Sequence, residues 1–276
     1  MVVLRRDRLY LIGAVLVTLV TLAAVLAPLL APHDPLIGNL KDAYLTPPGT
    51  RYLLGTDSQG RDVLSRVIYG ARISLAVGLI SQGVAVTLGV TLGLLAGFYG
   101  RWVDATVMRL ADVTLAFPTL LLLIAVAAAV RPSLVVVFML IGVVGWAGMA
   151  RLVRGQVLSL KSAEYVTAAR ALGARDRTIL FRHLLPNVRS QVIVAATLGM
   201  AAAIMAEAAL SFVGLGAQPP TPSWGAMVAE GRDLLRVAPW VSIAPGVAIG
   251  IAVLGFNLLG DALREAWDPR LRNGEL

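Results

Sequence analysis

The sequence predicts an all-α integral membrane protein with six transmembrane helices. Two observations predict it. Of 276 residues 58% are hydrophobic and 14% charged, against about 25% charged in a typical soluble domain. Six stretches also lack Asp, Glu, Lys and Arg: Leu9–Leu30, Ile73–Phe98, Val113–Val130, Pro132–Ala150, Ser190–Ala206 and Val237–Gly260. A helix crosses the hydrocarbon core with roughly 17–25 apolar residues, so each qualifies. The fifth is the shortest and is expected to continue past Glu207 to Phe212.

The first span follows Arg5, Arg6 and Arg8 and resembles a signal peptide in layout. Its 22-residue apolar run exceeds the roughly 7–15 of a signal h-region, so residues 1–31 read as a retained anchor helix. Residues 32–71 form the first external loop, with Pro32, Pro35, Pro47, Pro48 and Gly49 as turn formers. Inside it Arg61–Tyr69 sets Val63, Leu64, Val67 and Ile68 at helical spacing, opposite Arg61, Asp62, Ser65 and Arg66, with Asp62 and Arg66 spaced to pair. Two readings fit: a short amphipathic helix on the outer surface, or a capped turn leading into the second span.

The second span carries Gly89, Gly93 and Gly97 at four-residue intervals, a stripe that allows close helix approach. Gly142, Gly145 and Gly148 in the fourth span and Gly246 and Gly250 in the sixth repeat the theme. Pro118 falls inside the third span and is expected to kink it or to mark its first turn. Between the fourth and fifth spans, residues 151–189 hold eight Lys/Arg against Glu164 and Asp176. This segment divides at Gly173 into two helical pieces, Ala163–Leu172 with a small face through Ala168, Ala169 and Ala171, and Asp176–Leu185 with Ile179, Leu180 and Leu184 on one side. Pro186 is expected to end the second piece. Such a hairpin suits docking into a partner's groove; a basic loop lying on anionic lipid is the alternative. In the second external loop Ser223 is placed to cap a helix from Trp224 to Leu235, with Trp224, Met227, Val228, Leu234 and Leu235 on its apolar side. A short polar tail, 262–276, follows the sixth span.

The net charge of +8 fits the positive-inside rule better than a nucleic-acid partner. With the N-terminus in the cytoplasm, 16 of the 24 Lys and Arg residues fall on inner segments and 8 on outer ones. Both termini are therefore expected inside. The chain has no cysteine, which excludes disulfides, thiol catalysis and thiolate metal sites. Its two histidines, His33 and His183, fall on opposite membrane sides, which disfavours a metal or acid–base pair. Both lysines, Lys41 and Lys161, follow leucine, whereas a phosphate-cradling Walker A loop needs Gly before Lys. No cofactor is expected on this chain. Glu207 is the one acid embedded in a span, either as a pore or gate residue or as a carboxylate near the outer interface bonded to neighbours.

The hairpin from Glu164 through Asn187, with Ala168, Ala169, Gly173, Leu185 and Pro186 in register, resembles the EAA loop of bacterial ABC-importer permeases. Thr167 stands where that pattern has Glu, with Glu164 one turn earlier, and His183 stands where it has Ile. These departures, together with Leu54–Asp62, Ala206–Phe212, Gln218–Pro220, Pro222–Gly225, Glu230–Arg232, Phe256–Asp261 and Asp268–Arg270, resemble the dipeptide/oligopeptide subgroup of permeases. The resemblance implies a type I importer fold, a five-helix core in residues 72–261 preceded by an extra N-terminal helix. It implies a second similar permease, two ATP-binding subunits that carry the ATP, and an extracytoplasmic binding protein, assembled in the cytoplasmic membrane of a prokaryote. Glu164, Thr167, Ala168, Ala169, Gly173, His183, Leu185 and Pro186 would couple to the ATPase. The outer loops would dock the binding protein, through Arg61, Asp62, Trp224 and Arg232. Nickel and glutathione carriers share these motifs with peptide carriers. An ion-coupled secondary transporter would need paired intramembrane ionisable groups or repeats, and an intramembrane enzyme a His/Asp/Glu constellation; the sequence offers neither.

Overall fold

The computed structural model describes residues 2–131 and 133–267. Its helices are α1 (Val2–Val25), α2 (Ala27–Leu30), α3 (Leu40–Ala43), α4 (Val63–Tyr99), α5 (Arg101–Ala116), α6 (Thr119–Ala129), α7 (Leu134–Leu160), α8 (Glu164–Ala171), α9 (Asp176–Thr178), α10 (Leu185–Phe212), α11 (Trp224–Gly231) and α12 (Trp240–Ala266). A π-helical stretch, Ile179–Leu184, joins α9 to α10, and a 3₁₀ turn, Arg232–Leu234, follows α11. Four continuous helical runs are long and apolar enough to cross a membrane: Val63–Tyr99, Leu134–Leu160, Asp176–Phe212 and Trp240–Ala266. The pair α5 and α6 makes a fifth, broken span, and Leu9–Val25 is a shorter apolar helix packed through Gly13 onto Leu258 of α12.

The most extensive seam joins α4 and α7. Its glycines allow it: a Cβ on Gly89 would stand 2.5 Å from Met149 Cβ, one on Gly93 2.6 Å from the Ala150 carbonyl oxygen, and one on Gly142 2.6 Å from the Ser81 carbonyl oxygen. Ser81 Oγ donates to the Phe138 carbonyl (2.8 Å) across the same seam. The expected stripe on α12 is not used in this way. Gly246 and Gly250, like Gly148, have nothing within 4 Å of a built Cβ, because α12 turns other residues, Ala252, Gly255 and Phe256, into the bundle.

The third span breaks at Pro118, as expected of a proline there: α5 and α6 meet at 89°. Phe117, ahead of Pro118, is extended (φ −91°, ψ 139°), as the clash with a following proline ring requires, and α6 starts after the proline. The Arg61–Tyr69 segment is the capped lead-in to the second span, the second of its two readings, and not a separate surface helix. It is the first turns of α4, with Val63 and Arg66 buried, and Asp62 caps that helix by accepting from Ser65 N (2.9 Å) rather than pairing with Arg66. Pro186 ends nothing: helical backbone runs from Asp176 to Phe212. The π-turn places Leu185 N on the Leu180 carbonyl, five residues back. That wider turn, with the proline in the first turn of α10, accommodates a ring that would otherwise clash with the preceding turn. The basic stretch 151–189 is accordingly mostly helix, with the connection proper confined to Lys161–Leu184. The tail continues α12 to Ala266; residues 268–276, including Asp268 and Arg270, lie outside the described residues.

Candidate functional site: the coupling hairpin and the two ends of the bundle

At one end of the bundle α8 and the α9–π segment form a hairpin turning at Gly173, whose φ of +80° is a left-handed conformation that favours glycine. The turn is closed by Gly173 N to the Arg170 carbonyl and Ala174 N to the Ala169 carbonyl, both 3.0 Å. The hairpin is seated by apolar burial: Val166, Ile179, Leu180 and Leu184 pack with Leu94, Val153, Val157 and Val188 of the long helices. Lys161 Nζ donates to the Gly97 carbonyl (3.0 Å), and the Arg170 guanidinium lies 5.7 Å over the Phe98 ring.

The opposite face of the hairpin is uncovered. Glu164, Thr167, Ala168, Phe181 and Pro186 are exposed, Leu172 is 89% exposed, and Ala169, His183 and Leu185 are half-buried. The predicted coupling residues are thus brought together on one small hairpin. Glu164 and Thr167 sit on the exposed side of α8, although the Thr167 hydroxyl is directed at the Ala163 carbonyl (3.2 Å). His183 lies 6.3 Å from the Tyr165 ring. Close by, α5 is tied to α7 by a two-pronged contact of Arg154 with Asp104 and by Arg151 with Asp112.

At the other end α11 is wedged among α4, α10 and α12. Ser223 caps it, accepting from Ala226 N (3.2 Å), and Trp224 Nε1 donates to the Val67 carbonyl (2.8 Å) with its ring against Gly70. The helix stops at Gly231, short of the expected Leu235, which is exposed. Beside it Arg61 and Arg66 share Glu230: each Nη2 lies 3.0 Å from Oε2. Arg61 Nε also donates to Asp57 Oδ2 (2.6 Å). His33 Nδ1 lies 3.5 Å from Asp62 Oδ2. Arg61, Asp62 and Trp224, named above as docking residues, are therefore all buried. They hold the outer loops to the bundle and present no side chain to a partner. Arg232 is exposed, paired with Asp233 and lying over Phe212.

Glu207 is fully buried. Ser211 Oγ donates to its Oε1 (2.6 Å) while accepting from Ala217 N (3.0 Å), and Ser223 Oγ stands 3.4 Å from Ser211 Oγ. Glu207 thus ties α10 to the start of α11 and lines no open wall in this conformation, the bonding expected of the second of its two readings. Asp57 and Glu230 are the site residues that sequence reasoning missed. A loop acid and one on a short helix 173 positions later carry no local spacing signal.

A multi-span helical bundle with small-residue seams, packed around α11 at one end and bearing an exposed two-piece hairpin at the other, is the architecture of a multi-pass membrane subunit. Residues 89–273 match the family of binding-protein-dependent transport system inner membrane components, and residues 2–48 match the N-terminal TM domain of oligopeptide transport permease C. The chain belongs to this permease family of ABC importers. Among its relatives are the dipeptide transport system permease protein DppC of Alkalihalophilus pseudofirmus, 43% identical over 270 residues (98% of this chain, 88% of the relative), and a di/tripeptide transport system permease of Pseudomonas aeruginosa, 44% identical over 267 residues (95% and 88%). The glutathione transport system permease protein GsiD of Pectobacterium atrosepticum is 48% identical over 226 residues (82% and 75%).

Proposed function

We propose that this permease forms half of the pore of an importer for short peptides, and that ATP is hydrolysed by separate subunits docked on the Glu164–Pro186 hairpin. The observation that carries the coupling role is the hairpin's two-sidedness. Its apolar side is anchored in the bundle, while Leu172, Phe181 and the alanine face stand free beside Glu164. Movement of a partner against that face would be transmitted through Ile179–Leu184 into α10, with no loop between them. The peptide cargo is supported by relatives named for dipeptides and di/tripeptides over nearly the whole chain. A glutathione cargo is favoured by two relatives, one of higher identity over a shorter stretch and one matching nearly the whole chain; glutathione is itself a tripeptide, so both readings fall within small carboxylate-bearing peptides. The remaining assembly follows the family: a second permease, two ATP-binding subunits on the cytoplasmic side against the hairpins, and a binding protein at the α11 end, where Arg232 and the exposed Leu235 are accessible.

Gly173→Asp in the complete importer tests the coupling role. A built Cβ at Gly173 has nothing within 4 Å, so internal packing is spared and the substitution acts on the turn and on the exposed face. Expected is loss of ATP-driven uptake with the ATPase subunits still hydrolysing and the chain still inserted. Wild-type uptake removes the hairpin from the mechanism.

A further inference from the structure

At the hairpin end the inner ends of α7, α10 and α12 enclose a cleft of about 520 Å³, within the range of small-ligand sites. Its floor is apolar, and toward the far end it is closed by Gly260 of α12 packed on Leu198 of α10, where a Cβ would come within 2.6 Å. Its polar groups are all donors or neutral: Gln156, Ser190, Gln191 and Arg264, with Trp267 at the rim. Among the described residues no carboxylate lines it. Ser190 Oγ donates to Gln191 Oε1 (2.9 Å), which leaves the Gln191 amide nitrogen available as a donor. Among the described residues neither Arg264 nor Gln156 has an ion pair or a hydrogen bond to spend its donors on. An apolar cleft with a free guanidinium and two free amides, and no acid, is matched to a small organic carboxylate.

We propose that this cleft is a release-side subsite for the C-terminal carboxylate of a peptide in transit, with Arg264 as its ionic anchor and Gln156 and Gln191 as amide donors. The proposal rests on the peptide reading given above. Gln156 is on α7 and Gln191 on α10, the two helices that the coupling hairpin joins. A shift of the hairpin would separate the two amides and release the ligand, which ties this site to the ATPase cycle more directly than to the surrounding lipid.

The chain's lack of cysteine supplies the test. In inverted vesicles holding the complete importer, Leu152→Cys, on the cleft wall, is the chain's single thiol. Its modification rate by a methanethiosulfonate reagent is measured with alanylalanine, with alanylalanine amide, and with neither. The free dipeptide is expected to slow modification and the amide to leave it unchanged. Adding Arg264→Gln is expected to raise the half-protecting concentration about tenfold, as loss of a charged hydrogen bond predicts. Equal protection by acid and amide, or none, overturns the subsite. Protection by added cardiolipin without peptide assigns the cleft to a lipid headgroup and overturns it too. ATP-dependent uptake of labelled alanylalanine is measured in right-side-out vesicles holding the same importer and its binding protein. Uptake without protection sinks the subsite alone, whereas absence of uptake sinks the peptide cargo and the subsite with it.

Discussion

Arg66 is 1% exposed, Arg61 is nearly as deeply buried, and they share a Glu230 side chain that is 29% exposed. Asp57 supplies the second negative charge, so the group is balanced: two cations, two anions. Its effect is asymmetric. Forming such a group contributes little net stability, because desolvation offsets the attraction, but removing one partner leaves buried charge uncompensated. Glu230→Ala is therefore expected to destabilise the outer end by about 3 kcal/mol, read as a lower unfolding temperature from tryptophan fluorescence. Adding Arg66→Met should recover a large part of the loss. If Glu230→Ala unfolds at the wild-type temperature, the cluster is not what fixes α11 to α4. None of this was legible in the sequence. The spacing of Asp62 and Arg66 suggested a pair, whereas Asp62 is used to cap α4 and Arg66 reaches across to α11.

Helix elements were read well where periodicity and apolar length coincide, and poorly where a proline or glycine has two structural uses. Ile179, Leu180 and Leu184 do share a buried face, and Gly173 does turn the hairpin. Pro118 and Pro186 behave oppositely although both sit in apolar helical runs. The first follows an extended residue and breaks the span; the second falls in the first turn of α10 behind a π-turn and is absorbed. Glycine stripes divide in the same way. Gly93→Leu is expected to force α4 from α7, because the Ala150 carbonyl stands 2.6 Å from the site of its Cβ. Gly250→Leu on α12 meets open space and is expected to leave the bundle intact. Protease resistance of the purified chain in detergent separates them; equal resistance would show that the α4–α7 seam tolerates separation.

On the scale of the whole molecule the two ends differ in kind. One holds α11, clasped through Trp224, Glu230 and the Glu207–Ser211–Ser223 group; the other holds the open cleft and the free hairpin face. The excess of Lys and Arg on the hairpin end is what the positive-inside rule expects of a cytoplasmic face. A membrane-impermeant maleimide tests this. Arg236→Cys should label in intact cells, and Leu172→Cys only in inverted vesicles. The reverse pattern would invert the topology and remove the hairpin from the ATPase.

By itself the sequence determined that the chain is a helical membrane bundle, roughly which stretches are apolar enough to span, and that Gly173 turns and Ile179, Leu180 and Leu184 seat the hairpin. Those features depend on local apolar length, 3.6-residue periodicity and glycine at positive φ, all of which are written in neighbouring positions. Only the tertiary structure decided that Arg61, Asp62 and Trp224 are internal ties, that Glu207 binds α11, and that Gln156, Gln191 and Arg264 share one cleft. Each of those facts depends on helices far apart in the chain meeting, and a charge or amide in a linear sequence does not say which distant group it will face.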